Sequence, residues 1–316
     1  MRNVYSSAGR IGDAICGEEL CPSAVVHVDL DSASAIFAAH GWSHSFDSDP
    51  LFETGLSNAL DFLNNAAIKG TLFVIARDLE DRRKRELLRN AVRQGHEIAS
   101  HTLTHRMLTT LTREEKRREI FESRERLSRE LAVEVRGFRA PGFALDREAL
   151  EMIAEAGYEY DSSLFPSASF ARSVGLQSLS ASPQRPLTDH QLLELPLPSH
   201  RPLPLPFHPC YSLVLGTWYF RLGLKSFQRT RAPLVMLFHL TDFADPLPEK
   251  YLHNRRARLY TLSHLSGEAK RERCERMLDI VAGDYRLVPT TELLAEQSKI
   301  NESYRSESQK RQAAGR

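Results

Sequence analysis

Residues 71–101, TLFVIARDLEDRRKRELLRNAVRQGHEIASH, decide the fold class because they contain a complete strand–helix–strand unit. The opening TLFVIA is rich in β-branched and aromatic residues, which predicts a buried strand. The charged segment over roughly 79–94 carries apolar residues at helical spacing and ends at Gly95, which predicts a helix. HEIASH then predicts a second short strand.

The same alternation of strand and helix continues along the chain. Further strands are predicted in AVVHVDLDS, VEVRGFRAP, YEYDSS, LLELPLP, PLVMLFHL and YRLVPT. This pattern is typical of the α/β class, with a parallel sheet covered by helices. About seven such units favour a (β/α) barrel, with a doubly wound sheet as the alternative. Both architectures place their chemistry at the carboxyl ends of the strands, so polar residues there are candidate site residues.

One domain is predicted to account for most of the chain. Residues 1–22 lack periodicity and are predicted to be irregular, whereas residues 23–297 form the barrel. Residues 298–316 are a polar tail that is predicted to be disordered. A proline-dense excursion at about 183–210 either lines a substrate groove or forms a rigid loop over the barrel rim.

Charge and hydropathy exclude several classes of protein. The chain has 42 Lys and Arg against 41 Asp and Glu, so its net charge of +1 gives no global attraction to nucleic acid. No stretch approaches the ~20 apolar residues of a transmembrane helix, although peripheral membrane contact stays open. The N-terminus shows no secretory signal, and the four cysteines are scattered without a disulfide framework. A cytoplasmic location is therefore predicted.

The histidines of SHTLTH are the first candidate metal ligands. HEIASH is not the HExxH motif of zinc proteases, because its second histidine comes one position too late. His101 and His105 are four residues apart, so a helical turn that begins at Thr102 would place both imidazoles on one face. Such a pair suits zinc, but a chance pair on a solvated face is the competing interpretation.

Two carboxylates at the end of the first predicted strand are the next candidates. Asp29 and Asp31 are two residues apart, so on a strand their side chains share one face. Burying both charges without a cation would be costly, although Asp31 could instead cap the following segment. Asp31, His101 and His105 would supply three metal ligands, which leaves Asp29 free to accept a proton.

Two other predicted strands end in residues with catalytic potential. Arg139 follows VEVRGF, and its guanidinium can orient a carboxylate through a bidentate pair. His239 ends the apolar run PLVMLF, where it is either a satisfied core residue or a general acid.

The ordered motifs VDLDS, SHTLTH, RAPGF, YDSSLFP and MLFH resemble those of the polysaccharide deacetylase family. This family is also called the NodB homology domain or carbohydrate esterase family 4, and the sequence looks most similar to members associated with exopolysaccharide and exosortase gene clusters. The resemblance implies a distorted, TIM-like (β/α)7 barrel and a hydrolase that removes N-acetyl groups from amino sugars. It also implies a divalent metal, with zinc favoured and cobalt, nickel or manganese as alternatives.

The resemblance implies roles for the polar residues of the first, third and last motifs. Asp29 would act as the base and Asp31 as a ligand. The family's two aspartates are usually adjacent, whereas Leu30 separates them here, so the reverse assignment stays open. Arg139 would hold the base in place and ionised, and His239 would protonate the departing amine.

Three further residues are implied to contact the substrate or to support the site. Because the third motif is RAPGF where the family usually has R-x-P-Y-G, the backbone amide of either Gly142 or Phe143 would face the developing oxyanion. Asp161 in YDSS is expected to orient His239 or to bind a sugar hydroxyl.

The implied substrate is an N-acetylated glycan or a lipid-linked sugar, the latter at the inner face of the membrane. Two alternatives within enzymes are a deformylase of a lipid-linked amino sugar and an allantoinase-like hydrolase of a non-sugar amide. A catalytically silent, glycan-binding relative is the alternative outside enzymes.

Overall fold

The computed structural model covers the predicted barrel and little of either predicted terminus. Of the tail predicted over 298–316, only residues 298–300 are described, and they are helical rather than disordered. The irregular segment predicted over 1–22 lies outside the described residues except for its last two. The structure describes residues 21–42, 46, 48–200, 205–252 and 255–300.

Each segment predicted to be a strand contains one, and several of these strands are very short. The predicted AVVHVDLDS strand ends at Asp29, so Asp31 lies beyond it. The strands are β1 Ser23–Asp29, β2 Thr71–Val74, β3 Glu97–Ser100, β4 Gly137–Phe138, β5 Tyr160–Asp161, β6 Leu193–Glu194, β7 Leu234–His239 and β8 Arg286–Leu287.

Seven of the α-helices begin at side chains that satisfy their first N–H groups. Thr112 and Glu115 form the predicted capping box, and Asp146 accepts from Ala149 N–H at 2.9 Å. The α-helices are α1 Ala33–Ala39, α2 Pro50–Asn65, α3 Arg82–Arg93, α4 Arg113–Leu131, α5 Arg147–Glu155, α6 Ala168–Ser173, α7 Pro209–Leu215, α8 Thr217–Gln228, α9 Arg255–Tyr260 and α10 Gly267–Ala282, and residues 290–300 form a last helix. The capped helices are α1 to α6 and α10, whereas α7 and α8 have no side-chain cap.

All the strands pair in parallel in one curled sheet. The order is β6-β5-β4-β3-β2-β1-β7, and the short β8 pairs with the start of β1. Parallel neighbours need a crossover connection, and helices of the chain supply most of these crossovers. The predicted (β/α)7-type architecture is therefore confirmed, in the form of a sheet that curls into a partial barrel.

The two faces of the strands belong to different cores. In β1, Ala24, Val26 and Val28 pack into the main core, where the helices cover the sheet. Val25 belongs to a second apolar cluster with Phe73, Tyr160 and Val235 of other strands, and this cluster fills the inside of the curl. Because side chains alternate along a strand, His27 and Asp29 share the inner face with Val25. The alternation therefore directs β1's polar side chains into the interior of the sheet.

The proline-dense excursion forms a short arm that leads into α7. Ser199 and Pro206 pair through an isolated antiparallel bridge, and residues 201–204 between them lie outside the described residues. The arm ends at His208, which is buried, and α7 starts at the next residue.

Cysteine pairing differs from the expectation in one place. Cys210 and Cys274 are free thiols, but Cys21 is disulfide-bonded, so the expectation of unpaired cysteines is wrong for Cys21. Among the helices in the described part of the chain, none is long and apolar enough to cross a bilayer.

Substitution of Gly137 should destabilise the fold. A Cβ at this residue would overlap the buried ring of Tyr160, whose hydroxyl bonds to Glu97 at 3.1 Å. We expect Gly137→Ala to cost about 1–3 kcal/mol, as other overpacked cores do. Gly283→Ala is the matched control, since its Cβ would meet nothing closer than 3.6 Å, and it should change stability by less than ~1 kcal/mol. Urea unfolding measures both variants, and equal stabilities would contradict the expected overlap.

His96 should make stability depend on pH. Its Nδ1 accepts a hydrogen bond from Gly70 N–H at 3.2 Å, and burial, with Lys69 nearby, lowers the pKa of His96 to about 4. The unfolded chain protonates this histidine near pH 6.5, whereas the folded chain does so only near pH 4. The free energy of unfolding should therefore fall as pH is lowered through this window.

Urea titrations between pH 7 and 4, with chelator present, would test this dependence. His96→Gln should reduce the slope, and His264→Gln, at an exposed position, should leave it unchanged. A wild-type slope in His96→Gln would show that this histidine does not contribute.

Candidate active site

The predicted site residues meet at the carboxyl edge of the sheet. The β1–β7 register sets Asp29 directly beside His239. On the other side, Arg139 N–H donates to the carbonyl of Ser100, at the end of β3, at 2.9 Å. His101 is the residue that follows Ser100, so it emerges next to Arg139. Parallel pairing therefore brings together side chains that are far apart in sequence.

Arg139 is fully buried and uses its donors within the site. One terminal nitrogen donates to Asp29 Oδ1 at 2.6 Å. The other donates to Ser162 Oγ and to His27 Nδ1, both at 2.8 Å, and Nε donates to the Ser162 carbonyl at 2.7 Å. The guanidinium lies 3.9 Å from the centroid of the Phe73 ring. The carboxylate beside Arg139 is thus held in one orientation by a charge-assisted bond.

His27 belongs to this network and carries no charge. Burial and the neighbouring Arg139 lower the pKa of His27 well below its ordinary value. Its Nδ1 is therefore an acceptor for Arg139, and Nε2 donates to Thr290 Oγ1 at 3.1 Å. Both ring nitrogens are occupied, so His27 supports Arg139 and is not a candidate ligand.

Asp31, His101 and His105 converge on a common point. Asp31 Oδ1 lies 3.3 Å from His101 Nε2 and 3.1 Å from His105 Nε2, and one ligand atom from each residue lies within 4.8 Å of the others. The residue that caps α1 is Ser32, whose hydroxyl accepts from Ala35 N–H at 3.3 Å. The capping interpretation of Asp31 is therefore wrong.

The turn that joins the two imidazoles is not a helix. Thr102 and His105 have φ values of +66° and +64°, in the left-handed region, so the predicted helical turn beginning at Thr102 is wrong. Glu119 of α4 holds the turn in place, because its carboxylate accepts from Thr104 N–H at 2.8 Å and from the Thr104 hydroxyl. The two imidazoles come together because the hydrogen bonds from Thr104 to Glu119 of α4 hold this strained loop in place.

The charges of the cluster suit a divalent cation. Burial opposes ionisation of Asp31, but His105 and His101 outweigh it and hold the pKa of Asp31 well below its ordinary value. Burial likewise lowers the pKa of His101, but the carboxylates of Asp29 and Asp31 raise it overall. An ionised carboxylate beside two imidazoles is a donor set of one oxygen and two nitrogens, which zinc accepts readily.

Hydrogen bonding orients the ligand atoms of this cluster for binding a metal. His101 Nδ1 bonds to the Arg139 carbonyl at 2.8 Å, which fixes the tautomer and turns Nε2 towards Asp31. Asp31 Oδ1 is buried and has no well-aligned hydrogen-bond donor among the described residues, although both imidazole Nε2 atoms lie 3.1–3.3 Å from it. The residues present therefore fit a metal held by Asp31, His101 and His105.

His239 lies across from the Asp29 carboxylate. Its Nε2 is 3.9 Å from Asp29 Oδ2, the oxygen that Arg139 does not use. Its backbone N–H donates to Asp242 Oδ2 at 2.9 Å, and burial, partly offset by His239, raises the pKa of Asp242 to about 6. Sequence reasoning missed Asp242, although an acid three residues after a strand-end histidine has capping-box spacing.

The RAPGF motif forms a tight turn over the site. Gly142 and Phe143 both have a φ of +58°. Phe143 N–H donates to the Ala140 carbonyl at 3.0 Å, so the turn itself uses this amide. Gly142 is therefore the better of the two predicted oxyanion donors.

Asp161 does not lie where it was predicted. It is fully buried, and it accepts from Ser163 Oγ at 2.7 Å, which in turn accepts from Ala140 N–H. Burial raises the pKa of Asp161, and burial together with Asp161 raises the pKa of Glu194 well above its ordinary value. The structure shows no contact between Asp161 and His239 among the described residues. Asp161 therefore supports the RAPGF backbone, and complete burial leaves it no access to a sugar hydroxyl.

His208 is a residue that sequence reasoning did not single out. It is buried with its ring 5.4 Å from Phe165 and 6.0 Å from Phe143, between centroids. Both of its ring nitrogens lack a partner among the described residues. Burial, with His239 and Arg139 nearby, lowers the pKa of His208 well below its ordinary value. The proline-rich arm therefore positions the neutral imidazole of His208 at the site, and no local sequence pattern predicts this position.

Comparison with known proteins agrees with the fold and with the resemblance of the motifs. Residues 34–160 match the polysaccharide deacetylase family. Chitin deacetylase 1 of Cryptococcus neoformans is 33% identical over 116 residues, 37% of this chain and 24% of that protein. The chitooligosaccharide deacetylase of Sinorhizobium fredii is 34% identical over 99 residues, 31% of this chain and 45% of that protein. This chain thus spans less than half the length of either relative.

Solved structures support the architecture. A putative polysaccharide deacetylase from Mycobacterium smegmatis has a TM-score of 0.60 at 18% identity, covering 89% of this chain and 92% of that one. The Puue allantoinase has a TM-score of 0.56 at 16% identity, covering 86% and 89%. At these identities the likeness shows the fold alone. The sequence matches therefore show a resemblance to polysaccharide deacetylases, as the five motifs predicted, and the solved structures show that the chain shares their fold.

Removal of any one of the three clustered ligands should abolish tight metal binding. We expect the wild-type chain to bind one equivalent of zinc. Asp31→Ala, His101→Ala and His105→Ala should each lower the affinity by more than ~100-fold, since loss of supporting contacts alone costs about 10–100-fold. Competition with a chromophoric chelator measures this directly. His264→Ala, at an exposed position, is the control, and wild-type affinity in any ligand variant would contradict the assignment.

Proposed function

We propose that this protein is a metal-dependent hydrolase that removes N-acetyl groups from the amino sugars of a glycan. The observation that supports this most is the position of the Asp29–Arg139 pair beside the cluster of Asp31, His101 and His105. Asp31 faces both imidazoles at 3.1–3.3 Å, whereas Asp29 bonds to Arg139 at 2.6 Å. Two neighbouring carboxylates with different partners favour Asp31 as ligand and Asp29 as base, rather than the reverse.

The metal would sit between Asp31, His101 and His105. Zinc suits this donor set best, with cobalt, nickel or manganese as alternatives. Such a metal, when bound, lowers the pKa of a water towards ~7 and polarises the acyl oxygen.

The chain's own residues then move the protons. Asp29 accepts the proton of the attacking water, and Arg139 keeps that carboxylate oriented. Water adds to the acyl carbon, the C–N bond breaks, and His239 donates a proton to the departing amine, so that a carboxylic acid and an amine are formed. The Gly142 N–H stabilises the negative charge on the acyl oxygen, and one such donor is typically worth ~3 kcal/mol.

The proposed substrate is an N-acetylated glycan, in polymeric or lipid-linked form. The names of the two curated relatives support a chitin-like or chitooligosaccharide-like substrate for this chain as well. Metal-loaded protein should be incubated with N-acetylated glycans, with undecaprenyl-linked sugars that carry N-acetyl or N-formyl groups, and with allantoin, and the released product identified. Acetate supports the proposal, formate would favour the deformylase, and opening of allantoin the non-sugar hydrolase. Glycan binding without metal or turnover would favour the silent relative.

A cytoplasmic location at the inner membrane face stays a prediction from the sequence. The disulfide at Cys21 favours an oxidising compartment instead. Fractionation of cells that express the full-length protein would decide between the two.

Asp29→Asn should separate metal binding from turnover. The amide still accepts a hydrogen bond from Arg139 but is a poor base, so we expect about 10²–10⁴-fold lower kcat with unchanged zinc content. Asp61→Asn, the same change at an exposed residue of α2, should have no effect. Near-normal hydrolysis by metal-loaded Asp29→Asn would show that a group other than Asp29 acts as the base.

A further inference from the structure

The two helices that follow His208 expose apolar side chains to solvent. Trp218 is 63% exposed and Leu222 is 54% exposed, which is unusual for side chains of this size. The opposite side of α8 is buried in the main core through Phe220, Leu224 and Phe227. The exposed residues, spaced mostly by three or four positions, form what we call the α7–α8 face: Tyr211, Val214, Leu215, Trp218 and Leu222.

Positive charge accompanies this face without any negative charge in the same segment. Arg221, Lys225 and Arg229 are exposed on α8 or at its end. Residues 195–241 contain five Lys or Arg and no Asp or Glu, in a chain whose net charge is only +1. The charges of the chain are therefore distributed unevenly, and this segment concentrates cations next to exposed apolar groups.

We propose that the α7–α8 face docks onto an anionic membrane surface. Tryptophan favours the headgroup level of a bilayer, and leucines beside it can enter the acyl boundary. Lys and Arg next to such residues are attracted to anionic headgroups. The α7–α8 face combines both features on helices that the core already holds in place.

A second copy of this chain fits the face less well. In a two-fold symmetric dimer the same patch meets itself, so Arg221 and Lys225 would approach the same cations of the partner. This repulsion opposes the gain from covering Trp218 and Leu222. An anionic lipid surface satisfies both the apolar and the cationic parts of the face.

The face is continuous with the entrance of the candidate site. α7 begins at Pro209, directly after the buried His208. The ring of Tyr211, on the α7–α8 face, lies 6.0 Å from the ring of His208, between centroids. Docking would therefore bring the site to the lipid surface, where a lipid-linked glycan is presented. This consequence rests on the proposed function, whereas docking itself does not.

Vesicle binding tests the inference with the full-length chain. Flotation with phosphatidylcholine vesicles, with and without about 30 mol% phosphatidylglycerol, measures the fraction of protein bound to the vesicles. We expect at least ~10-fold stronger binding to the anionic vesicles. About 0.5 M salt should weaken this binding, because the Debye length shortens. In Trp42→Phe, where Trp218 is the remaining tryptophan, emission should shift to the blue on binding.

Paired variants separate the apolar from the cationic contribution. W218S/L222S should lose binding to both kinds of vesicle, and I300S, at another exposed apolar residue, should not. R221Q/K225Q should weaken binding to anionic vesicles by about 30-fold, because each Lys or Arg near an anionic surface contributes about 1 kcal/mol to binding. R118Q/R129Q removes the same charge from the exposed side of α4 and should bind like the wild type.

Three outcomes would overturn the inference. The first is a wild-type chain that does not bind anionic vesicles, and the second is binding that survives W218S/L222S. The third is a dimer in light scattering that becomes a monomer in W218S/L222S, which would assign the face to a second copy. Hydrolysis of a short soluble glycan should be the same in these variants as in the wild type. Vesicle binding without any hydrolysis would refute the proposed function and leave the docking surface standing.

Discussion

The buried ion pair of Arg139 and Asp29 is the interaction on which the candidate site depends. Arg139 follows β4 and Asp29 ends β1, with β2 and β3 between them in the sheet, so the pair crosses the inside of the curl. A guanidinium without solvent is tolerated only when its donors are satisfied, and here Asp29, Ser162 and His27 satisfy them. Breaking such a pair typically costs ~3–5 kcal/mol, which holds the strand ends in their mutual positions.

The strand ends carry strained backbone where the candidate metal cluster and oxyanion donor lie. Thr102, His105 and Phe143 adopt left-handed conformations, which cost of order 1–3 kcal/mol each for residues with a side chain. Their surroundings hold them there: Glu119 fixes the first loop, and Ser163 supports the second through Ala140 N–H. Rigid helices and strands thereby stabilise a local geometry that these segments would not adopt alone.

The errors of sequence reasoning occurred where contacts between distant segments decide the conformation. His101 and His105 have helical spacing, but α4 holds the residues between them in a loop. The two imidazoles therefore come together through a left-handed turn and not through the predicted helical turn. Asp161 stands in a motif that implies contact with substrate, yet its strand places it beneath the site. Asp31 was expected on the same strand face as Asp29, but β1 ends first, and the two carboxylates acquire different partners.

The sequence by itself determined the class of fold and most of the candidate residues. Strand–helix alternation, helix caps and strand-end polar residues are local signals, because they depend on backbone period and on side chains a few positions apart. Only the tertiary structure decided which strand ends are neighbours, how the 101–105 loop turns, and that His208 reaches the site from the proline-rich arm. These features depend on register and packing between different segments of the chain, which no local pattern encodes.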